Sequence, residues 1–426
     1  MLVVLVIFLV LLALGMSVAF SIGVAGVAFF LMTPEIPFSI VVQRVVTSTQ
    51  SFTLLAIPLF IFAGNLMNNT GITQRLIKLS DVLTGHMYGN LAQISVVLST
   101  LMGGVSGSST ADAAMETRIL GPEMLKKGYS RGYSAAVNGW TSLITSTIPP
   151  SMGFVIYGSI GEVSIGRLFA GGIVPGFMMM AALMIAVSIS AKRRGYMPAK
   201  EKRASLKEVL IAFKESIWAL IFPVILIVGI RFGVFTPSEA GAFAAVYAIF
   251  VGAVIYKELT WEAFRRTLKD SAMDIGAIML IIALSGIIGY GIVYDGVSQK
   301  IATLLISITS NPAILLLIII VFLVIAGMFV ETTVIALLLT PILLPVVTKV
   351  GIDPVHFGVI MMTNVTMGIM TPPLGVALYT VSSLMECPPE ETVKESIPFF
   401  IAYMVVEALL LLFPQLVLFI PNLIFG

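Results

Sequence analysis

Long apolar runs make up most of this chain, and short polar or glycine-bearing segments interrupt them. Residues 2–32 are apolar apart from small residues around Gly15 to Ser21. A helix of that length would be about 46 Å long at 1.5 Å per residue, too long for one straight membrane span. The pattern predicts either two helices joined by a short turn or one bent helix. The segment from Thr33 to Pro37 ends this unit.

A similar plan follows in each half of the chain. Residues 38–50 contain Gln43 and Arg44 and are predicted to be interfacial, and residues 52–68 are predicted to span the membrane. The second half has the same kinds of segment: spans at 217–230, 238–256 and 275–293, with an interfacial stretch at 258–271. The segment that begins at Gly71 aligns with the one that begins at Gly296, so the repeat covers most of each half.

One unusual element occurs twice, 223 residues apart, as a small, polar break inside an apolar run. The two breaks run from Gly104 to Thr110 and from Gly327 to Thr333, and a Pro-Pro pair follows each. Broken helices at matching places in two halves are the best sequence indicator of a binding site in a secondary transporter. Identities at this offset include Gly104/Gly327, Thr110/Thr333, Thr117/Thr340, Pro122/Pro345, Lys126/Lys349, Gly128/Gly351 and the pairs Pro149-Pro150/Pro372-Pro373.

The arms on either side of each break are too short to cross a bilayer. Residues 91–103 and 111–125 flank the first break, and each arm is about 20 Å of helix, where a span needs about 20 residues. We therefore predict two re-entrant helical hairpins whose arms meet inside the membrane and turn back. Since irregular backbone at this depth must be buried or line a wet cavity, each tip is a candidate site. A kinked helix pair is the alternative.

The Pro-Pro pairs predict carbonyl oxygens without their usual helical partners, because proline has no N–H to donate. Such oxygens suit a cation. The helices that return from Thr110 and Thr333 would also point their positive N-termini inward, which suits an anionic substrate. Plain kinks are the alternative. The carbonyls concerned are those of Thr145 and Ser146 in the first half, and of Gly368 and Ile369 in the second.

Charged residues within these largely apolar hairpins need a reason. Asp112 and Glu116 are one helical turn apart, with Arg118 close by. An internal ion pair, a wet surface and a functional role all explain them. Glu331 lies in the second tip, where we expect it to help hold a cation or to orient the tip amides.

Composition places the chain in a bilayer, since it is 58% hydrophobic and only 11% charged. The net charge of +2 gives no case for nucleic acid. One cysteine excludes an internal disulfide framework. The sequence lacks zinc-protease, aspartyl-protease and phosphate-binding-loop motifs, so we expect neither an enzyme nor an ATPase. We therefore expect an ion gradient to drive transport. The apolar N-terminus lacks a basic region and is predicted to be a retained membrane helix.

The most basic segment separates the two halves and is predicted to be cytoplasmic. Apolar residues from Leu206 to Ile217 follow helical spacing, which predicts a helix on the membrane surface. We therefore divide the chain into a first repeat (1–190), a basic linker with an interfacial helix (191–216) and a second repeat (217–426). The basic residues are Lys192, Arg193, Arg194, Lys200, Lys202, Arg203 and Lys207.

Together these motifs resemble the large membrane subunit of tripartite ATP-independent periplasmic (TRAP) transporters, over essentially the whole chain. The most specific parts are Gly103 to Asp112, Gly327 to Thr333 with the following segment Leu339 to Pro345, and Thr371 to Gly375. The resemblance implies an all-α polytopic membrane protein with two inverted repeats, re-entrant hairpins and broken helices, working as an elevator-type transporter in a bacterial or archaeal cytoplasmic (inner) membrane.

The resemblance also implies site residues at the hairpin tips and the facing broken helices. Substrate binding would involve Ser108, Thr110, Glu331 and Thr333. In some relatives an arginine also serves the anionic substrate, but none lies near Tyr290 to Tyr294 in this sequence. Sodium would be held by Ser106, Ser109, Thr145, Ile148 and Pro150 at one site, and by Gly327, Thr332, Gly368, Met370 and Pro373 at the other.

The implied function is a sodium-coupled, binding-protein-dependent importer of organic acids, such as a C4-dicarboxylate, sialic acid or another sugar acid. Sodium would be the coupling ion, with no organic cofactor. The implied partners are a small four-helix membrane subunit on a separate chain, a periplasmic substrate-binding protein, the organic-acid substrate and membrane lipid, and no nucleic acid. The alternative is a stand-alone sodium–anion symporter of related architecture that needs no binding protein.

Overall fold

The computed structural model describes residues 1–309 and 311–426, and this described part is helical, with no β-strand. Seven helices within it are long and apolar enough to cross a bilayer on their own. Two of them, Pro312–Phe329 and Thr332–Lys349, are the arms of the second break, so the prediction that these arms are too short is wrong. A bent pair, 39–48 with 53–68, adds an eighth candidate span, with a 57° bend at the break. The prediction of an all-α polytopic membrane protein is confirmed.

Ten helices make up the first half of the chain, as far as the basic segment. They are α1 (Leu2–Ala13), α2 (Val18–Met32), α3 (Ser39–Ser48), α4 (Ala56–Asn68), α5 (Ile72–Thr84), α6 (Asn90–Gly103), α7 (Ser109–Lys126), α8 (Arg131–Ser142), α9 (Met152–Gly161) and α10 (Ile165–Arg194).

Ten more helices follow in the described part of the second half. They are α11 (Leu206–Arg231), α12 (Pro237–Phe250), α13 (Trp261–Tyr294), α14 (Val297–Ile308), α15 (Pro312–Phe329), α16 (Thr332–Lys349), α17 (Pro354–Gly368), α18 (Val376–Leu384), α19 (Pro389–Leu412) and α20 (Gln415–Phe425).

Local sequence signals fix where several of these helices begin. The Ser205 and Glu208 side chains form a capping box at the start of α11. Asn311 accepts hydrogen bonds from the first turn of α15, and Asp353 does the same for α17. In both of these helices proline is the first helical residue, where its missing N–H has no helical partner to lose.

Two helices are longer than the sequence pattern predicts. The helix expected on the membrane surface continues without a break into the next span, and together they form the 26 residues of α11. Residues 258–271 were predicted to be interfacial, yet most of them belong to the 34-residue helix α13. Both helices continue across the predicted boundaries, because charged residues in the first turns of a helix end its apolar stretch but do not stop its hydrogen bonding. The interfacial position of the two segments stays a prediction. Of the two alternatives for residues 2–32, two helices with a short turn is confirmed.

The same order of elements occurs twice, from α5 to α10 and from α14 to α19. Gly71 and Gly296 precede the two series, both with a left-handed backbone (φ 71° and 60°). Gly128 and Gly351, which follow the two hairpins, are left-handed as well (φ 81° and 84°). A positive φ favours glycine, which has no Cβ, so the matching glycines mark matching turns.

The two series interlock instead of packing side by side. In the first half α7 packs against α18 and α8 against α19, and in the second half α16 packs against α9 and α17 against α10. Each series therefore supplies the neighbours of the other. Large aromatic side chains fill the space between them, and Tyr133, Trp140 and Tyr403 are completely buried or nearly so.

Outer helices keep large apolar side chains exposed, as a membrane protein requires. On α1 and α2 these include Leu2, Leu5, Phe20 and Leu31. In a bilayer such side chains contact lipid tails, which are as apolar as the side chains themselves.

We predict that the two halves have opposite orientations in the membrane. Lys126 and Lys349 end the two hairpins and are both exposed. Each would be replaced by cysteine in a chain whose buried Cys387 has been changed to serine, and then labelled in intact cells with an impermeant maleimide. Only one of the two positions should react from outside. Labelling of both from the same face would contradict the inverted arrangement.

Candidate functional site

The first hairpin tip lies against the first Pro-Pro break. Between the end of α6 at Gly103 and the start of α7 at Ser109, Gly107 adopts a left-handed backbone (φ 61°). A Cβ added to Gly107 would lie 2.3 Å from the carbonyl oxygen of Pro150. Only glycine permits this approach, so the tip backbone and the break form one surface.

Three oxygen atoms at this tip are buried and, among the described residues, have no hydrogen-bond partner. They are Ser106 Oγ, Ser109 Oγ and Asp112 Oδ1. The other carboxylate oxygen of Asp112 lies 2.5 Å from Thr145 Oγ1, which is also 3.1 Å from the carbonyl oxygen of Ser99. A buried acceptor without a partner costs free energy, so each such atom calls for a bound ligand or water.

The carbonyls at the two Pro-Pro breaks differ in how they are used. Both Pro-Pro peptide bonds are cis. The carbonyls of Thr145 and Ser146 accept no hydrogen bond from the described part of the chain, in agreement with the prediction. The carbonyls of Gly368 and Ile369 do not remain free, so the prediction is wrong for the second break.

New donors replace the missing ones at the second break. The Gly368 carbonyl accepts from Thr371, at 3.0 Å from its N–H and 2.7 Å from its hydroxyl. The Ile369 carbonyl accepts from the N–H groups of Ala377 and Leu378, at 3.1 and 3.2 Å. The chain turns back after Pro373 and brings the start of α18 onto the end of α17, a contact that proline spacing does not reveal.

The second hairpin contacts its break through two glycines. A Cβ on Gly368 would lie 2.4 Å from the carbonyl carbon of Gly327, and one on Gly327 would lie 2.5 Å from the carbonyl oxygen of Val365. Backbone therefore packs directly on backbone where α15 meets α17. This contact places Gly327 and Gly368, two of the predicted sodium ligands, side by side.

Glu331 caps the helix that returns from the second tip. Its carboxylate accepts a 2.9 Å hydrogen bond from the N–H of Thr333 and lies 3.2 Å from the Thr333 hydroxyl. This contact fits one of the two expected roles, the orienting of tip amides, and the other role, holding a cation, stays a prediction. The N-terminus of α16 was predicted to suit an anionic substrate, and in the structure the chain's own carboxylate lies there. Ser108 precedes α7 without any side-chain capping bond.

The four residues predicted to bind substrate lie at the two tips as expected, Ser108 and Thr110 at one and Glu331 and Thr333 at the other. No hydrogen bond joins the first pair to the second within the described chain. Closer contact between the halves occurs at the broken helices, where Ser146 Oγ lies 3.4 Å from Thr366 Oγ1.

Comparison with known proteins identifies this architecture. Residues 5–416 match the family model of the tripartite ATP-independent periplasmic transporter, DctM component. The chain belongs to this family. It is therefore the DctM component of a TRAP transporter, a multi-pass inner-membrane permease and not an enzyme.

Relatives in this family cover almost the same length. The chain is 36% identical to the sialic acid TRAP transporter large permease protein SiaM of Vibrio cholerae, over 97% of the chain and 96% of the relative. It is 31% identical to the C4-dicarboxylate TRAP transporter large permease protein DctM of Rhodobacter capsulatus, over 96% of each. Among solved structures, the YdaH transporter of Alcanivorax borkumensis shares the fold, with a TM-score of 0.63 at 12% identity, covering 89% of the chain and 88% of YdaH.

The structure of this TRAP permease decides between the explanations for Asp112 and Glu116. Glu116 is completely buried, and its oxygens accept hydrogen bonds from Ser95 and Ser99 at 2.6 and 2.7 Å. Arg118 is exposed and forms no ion pair with either carboxylate in the described structure. An internal ion pair and a wet surface are therefore both wrong, since hydroxyl groups of α6 bond to Glu116 and the Thr145 hydroxyl bonds to Asp112, both of which are buried. The serines at i and i+4 of α6 were the available sequence signal.

Sequence reasoning missed three buried polar residues on helices that pack around the breaks. Asn138 on α8 has no partner for either its amide oxygen or its amide nitrogen within the described residues. Asn364 on α17 contacts Glu407 on α19. An amide or a carboxyl in the middle of an apolar helix was the signal that could have found them.

An arginine does lie near Tyr290 in the folded structure, although it is distant from Tyr290 along the chain. The guanidinium of Arg44, on α3, stands 4.8 Å from the centre of the Tyr290 ring. Both residues line a cavity of about 570 Å³ together with Tyr294 and Ser285. Because α3 packs against α13, the TRAP permease brings together two residues that lie far apart in the chain.

We predict that Gly368→Ala destabilises the permease through the contact between the two backbones. The added methyl group would meet the peptide of Gly327, which cannot rotate away, so we expect a loss of about 1–3 kcal/mol in stability. Thermal unfolding of the purified protein measures it. Gly289→Ala on α13 is the control, because a Cβ there has no neighbour within 4 Å. Equal effects of the two substitutions would contradict the packing argument.

Proposed function

We propose that this permease is the large subunit of a sodium-coupled, binding-protein-dependent importer of organic acids. The names of its relatives support the substrate class, since one carries sialic acid and another carries C4-dicarboxylates. Membership of a tripartite family supports the need for other components. The observation that supports sodium as the coupling ion is the group of unpaired oxygens at the first tip.

Sodium at the first site would be held by Ser106, Ser109, Thr145, Ile148 and Pro150. Two of these residues carry buried hydroxyl oxygens without a partner in the described structure, and Thr145 adds an unpaired carbonyl. Small hard cations take oxygen ligands, and transporters of this kind coordinate sodium with the carbonyls of unwound helices. The tip thus offers the chemistry that sodium needs, in a place where water is scarce.

Sodium at the second site would be held by Gly327, Thr332, Gly368, Met370 and Pro373. The carbonyls of Gly327 and Met370 accept no hydrogen bond from the described residues, which leaves them available as ligands. The Gly368 carbonyl already accepts from Thr371, so we expect it to contribute less. The second site would depend mainly on the hairpin and on Met370.

The substrate would bind between the tips, at Ser108, Thr110, Glu331 and Thr333. Since Ser108 makes no capping bond, the first amides of α7 are available to an acid group. Glu331 already occupies the start of α16. An anionic substrate would therefore be drawn to the first tip. In the elevator model the hairpins and broken helices move as one body, and their backbone contacts suit such a movement.

The remaining parts of the machine would be a small four-helix membrane subunit and a periplasmic substrate-binding protein. The lipid-exposed outer helices offer the surface for the small subunit. No ATP-binding component is required, because the sodium gradient supplies the energy. Voltage would add to it, since each net charge that moves inward contributes about 2.3 kcal/mol per 100 mV.

We predict that Ser109→Ala changes the stability of the permease differently in the absence and presence of sodium. Without sodium the substitution removes a buried hydroxyl that lacks a partner, so stability should be unchanged or higher. With sodium, the variant should gain less stability from the bound ion than wild type does, because a tenfold loss in sodium affinity lowers that gain by about 1.4 kcal/mol. Thermal unfolding across a sodium titration measures both.

Ser80→Ala is the matched control for this experiment. Ser80 is also fully buried in a helix, but its hydroxyl donates a 2.8 Å hydrogen bond to the carbonyl of Leu76. It should lose stability equally with and without sodium. A wild-type sodium response in Ser109→Ala would remove Ser109 from the site.

We predict that the permease alone does not take up its substrate. Proteoliposomes with an inward sodium gradient would receive this chain, then the small membrane subunit, then the loaded binding protein. Uptake should appear only when all three are present and should stop when sodium is replaced by potassium. Uptake by this chain alone would favour the stand-alone symporter.

A further inference from the structure

Glu407 is a buried carboxyl group that belongs to neither predicted sodium site. It lies on α19 with 2% of its surface exposed. One oxygen, Oε2, accepts a hydrogen bond of 2.6 Å from the Asn364 side-chain amide. The other oxygen, Oε1, has no partner among the described residues.

Asn364 uses both of its amide hydrogens in this arrangement. Its nitrogen donates to Glu407 and, at 2.8 Å, to the carbonyl of Ile360. Its oxygen, Oδ1, is buried and has no partner in the described chain. If Glu407 is ionised, the two unpaired atoms of this pair are both acceptors, and neither can satisfy the other.

No positive charge among the described residues compensates Glu407. None of the ion pairs in the described residues includes it. On its own helix the nearest titratable group is Tyr403, whose hydroxyl donates to the carbonyl of Thr363 at 3.2 Å. His356 on α17 lies within 2.9 Å of the carbonyl of Leu410 through Nε2, which acts there as a donor.

The other titratable groups on helices packed against α19 are engaged elsewhere. On α8, Arg131 pairs with Glu386, and Tyr133 bonds to Ser190. On α10, Arg194 pairs with Glu395. The remaining groups point to other partners or to the helix ends: Arg167 bonds to Asn422, Lys192 lies over the ring of Tyr88, Arg193 lines a surface cavity, and Tyr379 on α18 bonds to the carbonyl of Pro373. Residues Pro312–Phe329 of α15 contain no titratable side chain.

We propose that Glu407 binds a proton, and that Glu407 and Asn364 together form a proton-binding site of this permease. A proton taken from water onto Oε1 turns that atom from an acceptor into a donor and removes the buried negative charge. The protonated oxygen then donates to Asn364 Oδ1, while the amide continues to donate to Oε2. Acid and amide form a closed ring of two hydrogen bonds, and both unpaired atoms are satisfied by one proton.

The Glu407–Asn364 pair lies close to the second break and the second hairpin. Asn364 precedes Gly368 by one helical turn, and Gly368 contacts the second hairpin. Protonation of Glu407 therefore changes the charge beside the broken helix without altering a residue at either tip. This inference depends on no assumption about sodium.

Infrared difference spectroscopy on the purified full-length chain in lipid nanodiscs tests the proposal. At neutral pH the difference between wild type and Glu407→Gln should contain the C=O band of a protonated carboxyl group, and the band should shift in deuterium oxide. Glu390→Gln is the control, because Glu390 is exposed on the same helix and forms no ion pair in the described structure. Its difference spectrum should contain only ionised carboxylate bands. If Glu407→Gln also removes only such bands, the proposal is overturned.

A second variant keeps the test decisive if Glu407→Gln fails to fold. Asn364→Leu retains the acid and removes its amide partner, so the protonated C=O band should move to higher frequency. An unmoved band, or none, would overturn the pairing. In wild type, the folding equilibrium constant should fall with rising pH by up to about tenfold per unit, beginning where the unfolded chain loses this proton and levelling off where the folded protein loses it too. Glu407→Gln should lack this component, and identical pH profiles would also count against the site.

Discussion

Backbone that leaves its helix inside a bilayer must find new neighbours, and most of this structure follows from how it does so. At the second tip the peptide of Gly327 packs directly on Gly368, and at the first tip Gly107 lies against the carbonyl of Pro150. These contacts require the absence of side chains at a few positions. They also bring the irregular segments of a hairpin and a broken helix onto one surface, where carbonyls and hydroxyls can face a common ligand.

The two halves resolve the same constraint differently. In the first half oxygens stay unpaired around Asp112 and Thr145, whereas in the second half Thr371 and the start of α18 take up the carbonyls that the prolines leave. Glu331 likewise occupies the start of its own helix. A duplicated framework thus carries two chemically distinct ends, one with unpaired buried oxygens among the described residues and the other largely satisfied by the chain.

The sequence predicts the features that depend on short spacing. The hairpins, their tips, the breaks and the repeat all follow from glycine, proline and the lengths of apolar runs. It does not predict the continuity of α11 and α13, because charges that mark a membrane boundary do not end a helix. The sequence also does not predict contacts between residues of different helices. Examples are the serines of α6 around Glu116, Arg44 beside Tyr290, and the N–H groups of α18 that bond to the Ile369 carbonyl.

Interlocking of the two halves bears on how the chain is made. A ribosome releases α7 and α8 long before α18 and α19, the helices against which they pack, have been synthesised. Glu116 can obtain its serine and threonine hydroxyls from the first half alone, so its polar contacts form early. The ring of Trp140 instead packs against aromatic residues of α19, Phe400 and Tyr403, which are made much later. The packing of both halves is therefore completed only near the end of translation, when α18 and α19 have been made.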